Sequence, residues 1–488
     1  MTKQLKEKAI NGAVWTSIHK CASLLLGFIS GIILARLLTP HDYGVIGMLS
    51  IFLAVSTTFI DGGFGSALIQ KKRPTDVDYS TIFYWNMAFS AFLYWVLFLC
   101  APFIARFYNL PLLSEVLRVQ GLILVINAAR IVQRNQLRKR LEFKKITIIN
   151  LTAHMVGLGI TIYLAWKGWG VWALVVQQLL VGILTSGLYW ITSTWKPILV
   201  FSLQSFKELF SFGGFVLLAN LINTICNNIQ GLLIGKVYNS STLGYYSKAQ
   251  RIEGLSSTFI SNVLNQVTYP VFSEVQDEKQ RLILVLRKII CTSAFVTFPL
   301  LLLMILIAKP LFLLLYSERW LPCVPYFRLL CLAGIAICLQ NVNYYAIAAI
   351  GKSKDLFNWT LVKRGIGLLL VIGGLWLYGI YGLLIGSIVT SWVIYIINAI
   401  LVSKHLGYTL MHQFRDLLPI IVLSFIALLT AYLVTLIWPK GLYMDGIIEF
   451  TIFVTIYLLL SIIWHLNAYE DAKEMVQIVI NRFGSKNR

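Results

Sequence analysis

Five basic side chains stand inside strongly apolar stretches of this sequence: Lys20, Lys248, Arg251, Lys363 and Arg364. A charge in a hydrocarbon layer costs about 2.5–3.5 kcal/mol even on the lenient insertion scale, so such a residue faces a partner or a polar cavity. Lys and Arg placed this way can replace the hydration of an anion with charge-assisted hydrogen bonds, and phosphate oxygens suit them well. Few acids stand against them: Asp61 and Glu253 are possible counter-charges. Asn220, Asn223, Asn227 and Asn228 recur within one apolar stretch at positions suited to a polar lining. The chemistry expected is non-covalent capture of a phosphate-bearing anion. The seven cysteines include no Cys-x-x-Cys and stand by no histidine cluster, so they are expected to be small apolar residues, with no metal or cofactor to hold.

The elements that carry these residues follow from composition. Of 488 residues, 58% are hydrophobic and 12% charged, which excludes an ordinary soluble enzyme. Apolar runs recur from end to end, each able to cross a ~30 Å hydrocarbon core as a helix of about 20 residues. Alternating barrel periodicity is absent, leaving helices as the spanning solution. The fold class expected is an all-α polytopic membrane protein with about fourteen spans. Lys20 lies near mid-depth of the first, expected over 10–37. Lys248 and Arg251 are three residues apart and share a helix face; Lys363 and Arg364 are adjacent and cannot both face one cavity.

Basic residues also orient the chain. With a cytoplasmic N-terminus, the inner connections hold Lys71–Lys72–Arg73, the dense run "RIVQRNQLRKRLEFKK" and the tail "RFGSKNR". Alternate connections carry mostly single cations, the positive-inside asymmetry, and both termini come out cytoplasmic. This explains most of the formal +21 charge. The dense run is therefore assigned to topology and anionic-lipid contact rather than to nucleic acid.

A repeat organises the spans. "ILARLLTPHDYG" (Ile33–Gly44) is echoed by "LIGKVYNSSTLG" (Leu233–Gly244), pairing Arg36 with Lys236 and Gly44 with Gly244. Arg36 and Lys236 are expected as interface anchors or gate contacts at the outer mouth. An even number of spans separates the copies, so they run the same way through the membrane. The expected division is 1–200 and 201–404 as two parallel six-helix bundles around a central cationic cavity, with 405–488 adding two helices and a cytoplasmic tail.

The segments "LARLLTPHDYGVIGM", "DGGFGSALIQKK", "RNQLRKRLEFKK", "LGYYSKAQRIEGL" and "TYPVFSEVQDEKQRL" carry a family likeness in their order and spacing. The chain resembles the polysaccharide-transporter branch of the multidrug/oligosaccharidyl-lipid/polysaccharide flippase superfamily, especially the lipopolysaccharide, colanic-acid and teichuronic-acid exporters. The resemblance implies a flippase that moves undecaprenyl-pyrophosphate-linked oligosaccharide to the outer face of a bacterial cytoplasmic membrane. Its partners would be membrane lipids and the glycan polymerase or glycosyltransferases of the same pathway. Two other classes compete. A cation-coupled multidrug antiporter of this fold would want a carboxylate in its first span, yet no acid lies between Glu7 and Asp42. A membrane glycosyltransferase or polymerase would want paired carboxylates in a sizeable outer loop, and the expected loops are short.

Overall fold

Short polar signals between the apolar runs set where helices begin. Thr39 takes its N-terminal cap position with Pro40 following: its hydroxyl accepts from the Asp42 N–H (3.4 Å), and the Asp42 carboxylate accepts the Thr39 N–H (2.9 Å). Thr75 and Asp78 repeat the same reciprocal cap. Asp42 thus closes a helix start. The "DGG" at 61–63 ends that helix, because Gly62 and Gly63 adopt φ of 52° and 70°, which side chains with a Cβ disfavour.

The structure is a computed structural model and describes residues 3–466, 468–471 and 473. No strand occurs among them. Helices α1 (Lys3–Leu37), α2 (Pro40–Asp61), α3 (Phe64–Gln70) and α4 (Asp76–Phe107) come first. Three short pieces follow, α5 (Leu112–Gln120), α6 (Ile123–Ala128) and α7 (Ile131–Lys139), then α8 (Phe143–Trp166) and α9 (Val171–Thr192). Next are α10 (Leu203–Val237), α11 (Ser240–Glu274), α12 (Lys279–Leu306), α13 (Ala308–Leu315) and α14 (Cys323–Ala349). The last are α15 (Ser353–Leu406), α16 (Leu410–Ile437) and α17 (Leu442–Ile463).

Twelve helical stretches among the described residues are long and apolar enough to cross a membrane. The expectation of about fourteen spans differs from this at two places. Spans expected at 356–378 and 380–402 are the two arms of α15, counted together among the twelve: the helix breaks at Tyr378 and Gly379 (φ −132° and 61°) and folds back, so that a Cβ on Gly374 would stand 2.2 Å from the Gly382 carbonyl oxygen. The span expected at 243–272 is helical as α11, but it carries Lys248, Arg251 and Glu253 together and is not one of the twelve. Large side chains such as Leu99, Phe103, Ile191 and Trp376 stand exposed, the surface a bilayer covers.

The chain forms two compact units, residues 1–247 and 248–488. In the first, α1 packs on α8, α8 on α9, and α2 on α10, with Phe64, Leu68, Ile82 and Leu209 in one buried cluster. The Lys139 ammonium ties α7 to the end of α3, donating to the carbonyls of Leu68 (3.0 Å), Ile69 and Lys71. In the second, α14 packs on α12 and α15, and α16 on α12 and α17. Asn343 and Gln413 exchange amide hydrogen bonds there (3.1 and 3.2 Å), and the Tyr395 hydroxyl donates to the same Gln413 oxygen.

The repeat has a physical form inside the first unit. α1 and α10 end, and α2 and α11 begin, 200 residues apart. A Cβ added at Gly44 would stand 1.7 Å from the Ser240 carbonyl oxygen, and one at Gly244 1.9 Å from the Pro40 carbonyl oxygen. Each helix start therefore crosses its repeat equivalent reciprocally, backbone against backbone. Gly44→Ala or Gly244→Ala should force the crossing apart and cost at least the ~1–3 kcal/mol of overpacking. Thermal unfolding in detergent reads this loss, whereas Gly187→Ala, with nothing within 4 Å, should cause none.

Candidate functional site

Three helical faces within the first unit enclose a polar recess of about 480 Å³. The first face is the end of α2, which supplies Thr57, Thr58 and Asp61 beside Gly65 and Ser66 of α3. Gly65 leaves this wall thin: a Cβ there would meet the Asn135 amide at 3.0 Å and an Asp61 oxygen at 3.3 Å. The second face runs through α6 and α7 and presents Asn127, Arg130, Arg134, Asn135 and Arg138. Residues four apart on a helix fall on one side and rise ~6 Å per step, so the three guanidinium groups form a ridge of ~12 Å. The third face is α10, where Asn220, Asn223, Thr224 and Asn227 follow the same helical spacing. The Thr58 and Thr224 hydroxyls meet at 3.0 Å and fix α2 against α10.

The charge balance of this lining is positive. Three arginines against one aspartate leave two positive charges. Arg134 lies within electrostatic reach of both Arg130 and Arg138, and Asp61 within reach of Arg134 and Arg138. Mutual repulsion along the ridge exceeds what one carboxylate offsets, so a bound anion would lower the electrostatic energy. Amides and hydroxyls on the opposite wall offer both donors and acceptors, which suits a polyhydroxyl group.

Of the residues singled out from sequence, Asp61, Asn220, Asn223 and Asn227 line this recess. The others lie elsewhere. Lys20 is exposed on α1, where its neighbour His19 is within electrostatic reach of Arg134. Lys248 is 3% exposed, its ammonium over the rings of Tyr316 (4.4 Å) and Trp320 (5.3 Å). Arg251 is exposed on α11, and Glu253 is buried where Gly334 of α14 leaves room for its carboxylate. Lys363 is buried and donates to the Asn398 side-chain oxygen, while Arg364 is half-buried. Arg36 is exposed at the end of α1. Lys236 donates to the Phe107 carbonyl (2.6 Å) and sits over the Phe107 ring.

The arginine ridge belongs to the basic run expected for topology and anionic-lipid contact, and the expectation did not include a recess. The signal was present in the four-residue spacing of Arg130, Arg134 and Arg138. What was hidden is that the run divides. Its arginines at those positions enter the recess, Lys139 caps α3, Lys144 covers the Trp15 ring, and Lys145 pairs with Glu142.

Comparison with known proteins places this geometry in context. The family described as "Polysaccharide biosynthesis protein" matches residues 33–325. The teichuronic acid biosynthesis protein TuaB of Bacillus subtilis is 28% identical over 403 residues, 82% of this chain and 81% of that protein. The lipopolysaccharide biosynthesis protein WzxC of Escherichia coli is 24% identical, covering 81% and 80% of the two chains. Among solved structures, the lipid II flippase MurJ in an inward closed conformation superimposes with a TM-score of 0.75 at 15% identity, over 92% of this chain and 98% of that one. An inward-facing multidrug resistance MATE transporter gives 0.61 at 16% identity, over 81% and 98%. At these identities the two structures establish a shared fold.

Arg130→Gln, Arg134→Gln and Arg138→Gln should each weaken binding of a short-chain polyprenyl pyrophosphate about tenfold or more. A lost charge-assisted hydrogen bond is worth ~1.5–3 kcal/mol. Calorimetric titration in detergent checks this, and the affinity of the parent protein should fall with added salt.

Proposed function

This chain belongs to the polysaccharide biosynthesis protein family, and we propose that it is a flippase for lipid-linked oligosaccharide in a bacterial cytoplasmic membrane. The observation that carries the proposal is the recess in the first unit, with a ridge of three arginines on one wall and a row of asparagines on another. A pyrophosphate of roughly two negative charges matches its net charge, in the way Lys and Arg commonly bind phosphate. The amides and hydroxyls of α10 and α2 suit the first sugars. The lipid tail need not enter, because hydrocarbon beside the helices already solvates it.

Direction follows from the charge distribution along the chain. With both termini cytoplasmic, the ends of α2 and α7 lie on the inner side and face the middle of α10, where a cytoplasmic substrate would load. A membrane negative inside favours outward passage of negative charge by ~2.3 kcal/mol per charge per 100 mV, or on the order of 5 kcal/mol for a diphosphate. Lys20 of the first unit, and Arg251 and Arg364 of the second, are proposed as further anion contacts, with Asp61 as the counter-charge that keeps the empty ridge tolerable. Relatives named for teichuronic acid, lipopolysaccharide and succinoglycan support a polymer-precursor cargo. A polymerase or glycosyltransferase would then act on the delivered lipid.

The antiporter alternative has one observation in its favour, the MATE-like fold. Against it stands the electrostatics: a cationic drug would meet arginines in the recess, and Asp61 is outnumbered there.

Reconstitution into liposomes with a lipid-linked oligosaccharide tests the proposal. Outward translocation should rise with an imposed inside-negative potential. Arg134→Ala should slow it at least tenfold, and Lys20→Ala or Arg251→Ala should reduce it, with membrane insertion intact in all three. Dye efflux without glycan-lipid movement would favour the antiporter instead.

A further inference from the structure

A second recess, of about 620 Å³, lies in the unit that begins at Lys248. It forms where the last turns of α12 and α16 meet α13, α14 and the first turns of α17. One wall is an apolar stripe on α16 at helical spacing, Phe425, Leu429, Tyr432 and Leu436, all largely exposed. Four charges share the same recess: Lys309 of α13, Arg328 of α14, and Asp445 and Glu449 of α17. The two acids are four residues apart and therefore on one helix face.

These charges do not cancel by contact. Arg328 donates its Nε–H to the Ile305 carbonyl (3.1 Å), and Glu449 accepts the Thr435 hydroxyl (3.1 Å). Asp445 accepts the Lys440 backbone N–H (2.8 Å). Among the described residues none of the four is in an ion pair. Two cations and two carboxylates thus line one space without a direct ion pair, Arg328 lying within electrostatic reach of Glu449 but not in contact with it. All four lie within the first turns of their helices, and the ends of membrane-spanning helices stand at the headgroup level of a bilayer.

We propose that this recess binds a zwitterionic, amine-bearing glycerophospholipid of the phosphatidylethanolamine type. An acyl chain lies along the α16 stripe, the phosphate meets Lys309 and Arg328, and the ammonium meets Asp445 and Glu449. Selectivity must come from the headgroup, because an acyl chain gains little by exchanging lipid neighbours for leucine. A primary ammonium donates three N–H bonds to carboxylates. A choline headgroup has no N–H to give, and a glycerol headgroup leaves both acids without a cation. The site therefore ranks phosphatidylethanolamine above phosphatidylcholine and phosphatidylglycerol.

The test uses the full chain purified in detergent and offered the three phospholipids at equal concentration, with bound lipid read by native mass spectrometry. Phosphatidylethanolamine should be retained at least tenfold over each of the others. Asp445→Asn with Glu449→Gln should lower its retention at least tenfold and shift the preference toward phosphatidylglycerol. Lys309→Gln changes an exposed side chain, so it should reduce retention with no change in unfolding temperature and decides the matter if the acid variant fails to fold. Equal retention of the three lipids would overturn the proposal. So would undiminished phosphatidylethanolamine in a natively folded acid variant, or a polyprenyl pyrophosphate displacing it from this recess.

Discussion

The cost of holding charge in a medium that cannot solvate it governs this protein. In hydrocarbon each uncompensated cation forfeits several kcal/mol of hydration, and the chain meets that cost in distinct ways. Lys139 spends its ammonium on backbone carbonyls at the end of α3. Lys236 and Lys248 lie over aromatic rings, and Lys363 bonds the Asn398 side chain. Each of these side chains has found an internal partner. Arg130, Arg134 and Arg138 are different, because they gather around one polar recess with a single acid among them. Concentrated like charge in a partly desolvated space is unfavourable unless something negative visits it. That asymmetry separates cations that hold the fold from cations available to a cargo.

A second constraint acts on the backbone. Without a hydrophobic force between helices in lipid, association relies on close packing and on polar groups finding each other. The crossing of Gly44 on Ser240 and Gly244 on Pro40 is such a contact, and it is reciprocal because the two segments are repeat equivalents. Threonine caps at Thr39 and Thr75, the hydroxyl pair Thr58–Thr224 and the amide pair Asn343–Gln413 do comparable work elsewhere. Polar side chains in the spans thus have two employments, joining helices or lining a recess. Only their neighbours tell the two apart.

The two recesses differ in charge design, one strongly cationic and the other balanced. A phosphate-bearing cargo and a structural lipid would use the same kinds of side chain. The arrangement of acids around the cations is what distinguishes them. Few acids among the cations favour an anion, whereas acids that match the cations favour a ligand carrying both signs.

The sequence by itself determined the solvent, the helices and the repeat. Apolar run length, Gly62–Gly63 and the Thr-x-x-Asp caps are local signals that act within a turn or two of the chain. It also brought forward Asp61, as one of few acids standing against cations in apolar stretches, and Asn220, Asn223 and Asn227, because amides that recur within one apolar stretch are conspicuous. Tertiary structure alone decided what each charge faces. Arg134 and Lys139 belong to one basic run, yet one lines a cavity and the other caps a neighbouring helix. Lys248 and Arg251 share a helix face, yet one is buried over aromatic rings and the other is exposed. The reason is physical: a side chain's environment is set by helices distant in sequence, and a few ångströms of their placement separate a satisfied charge from an available one.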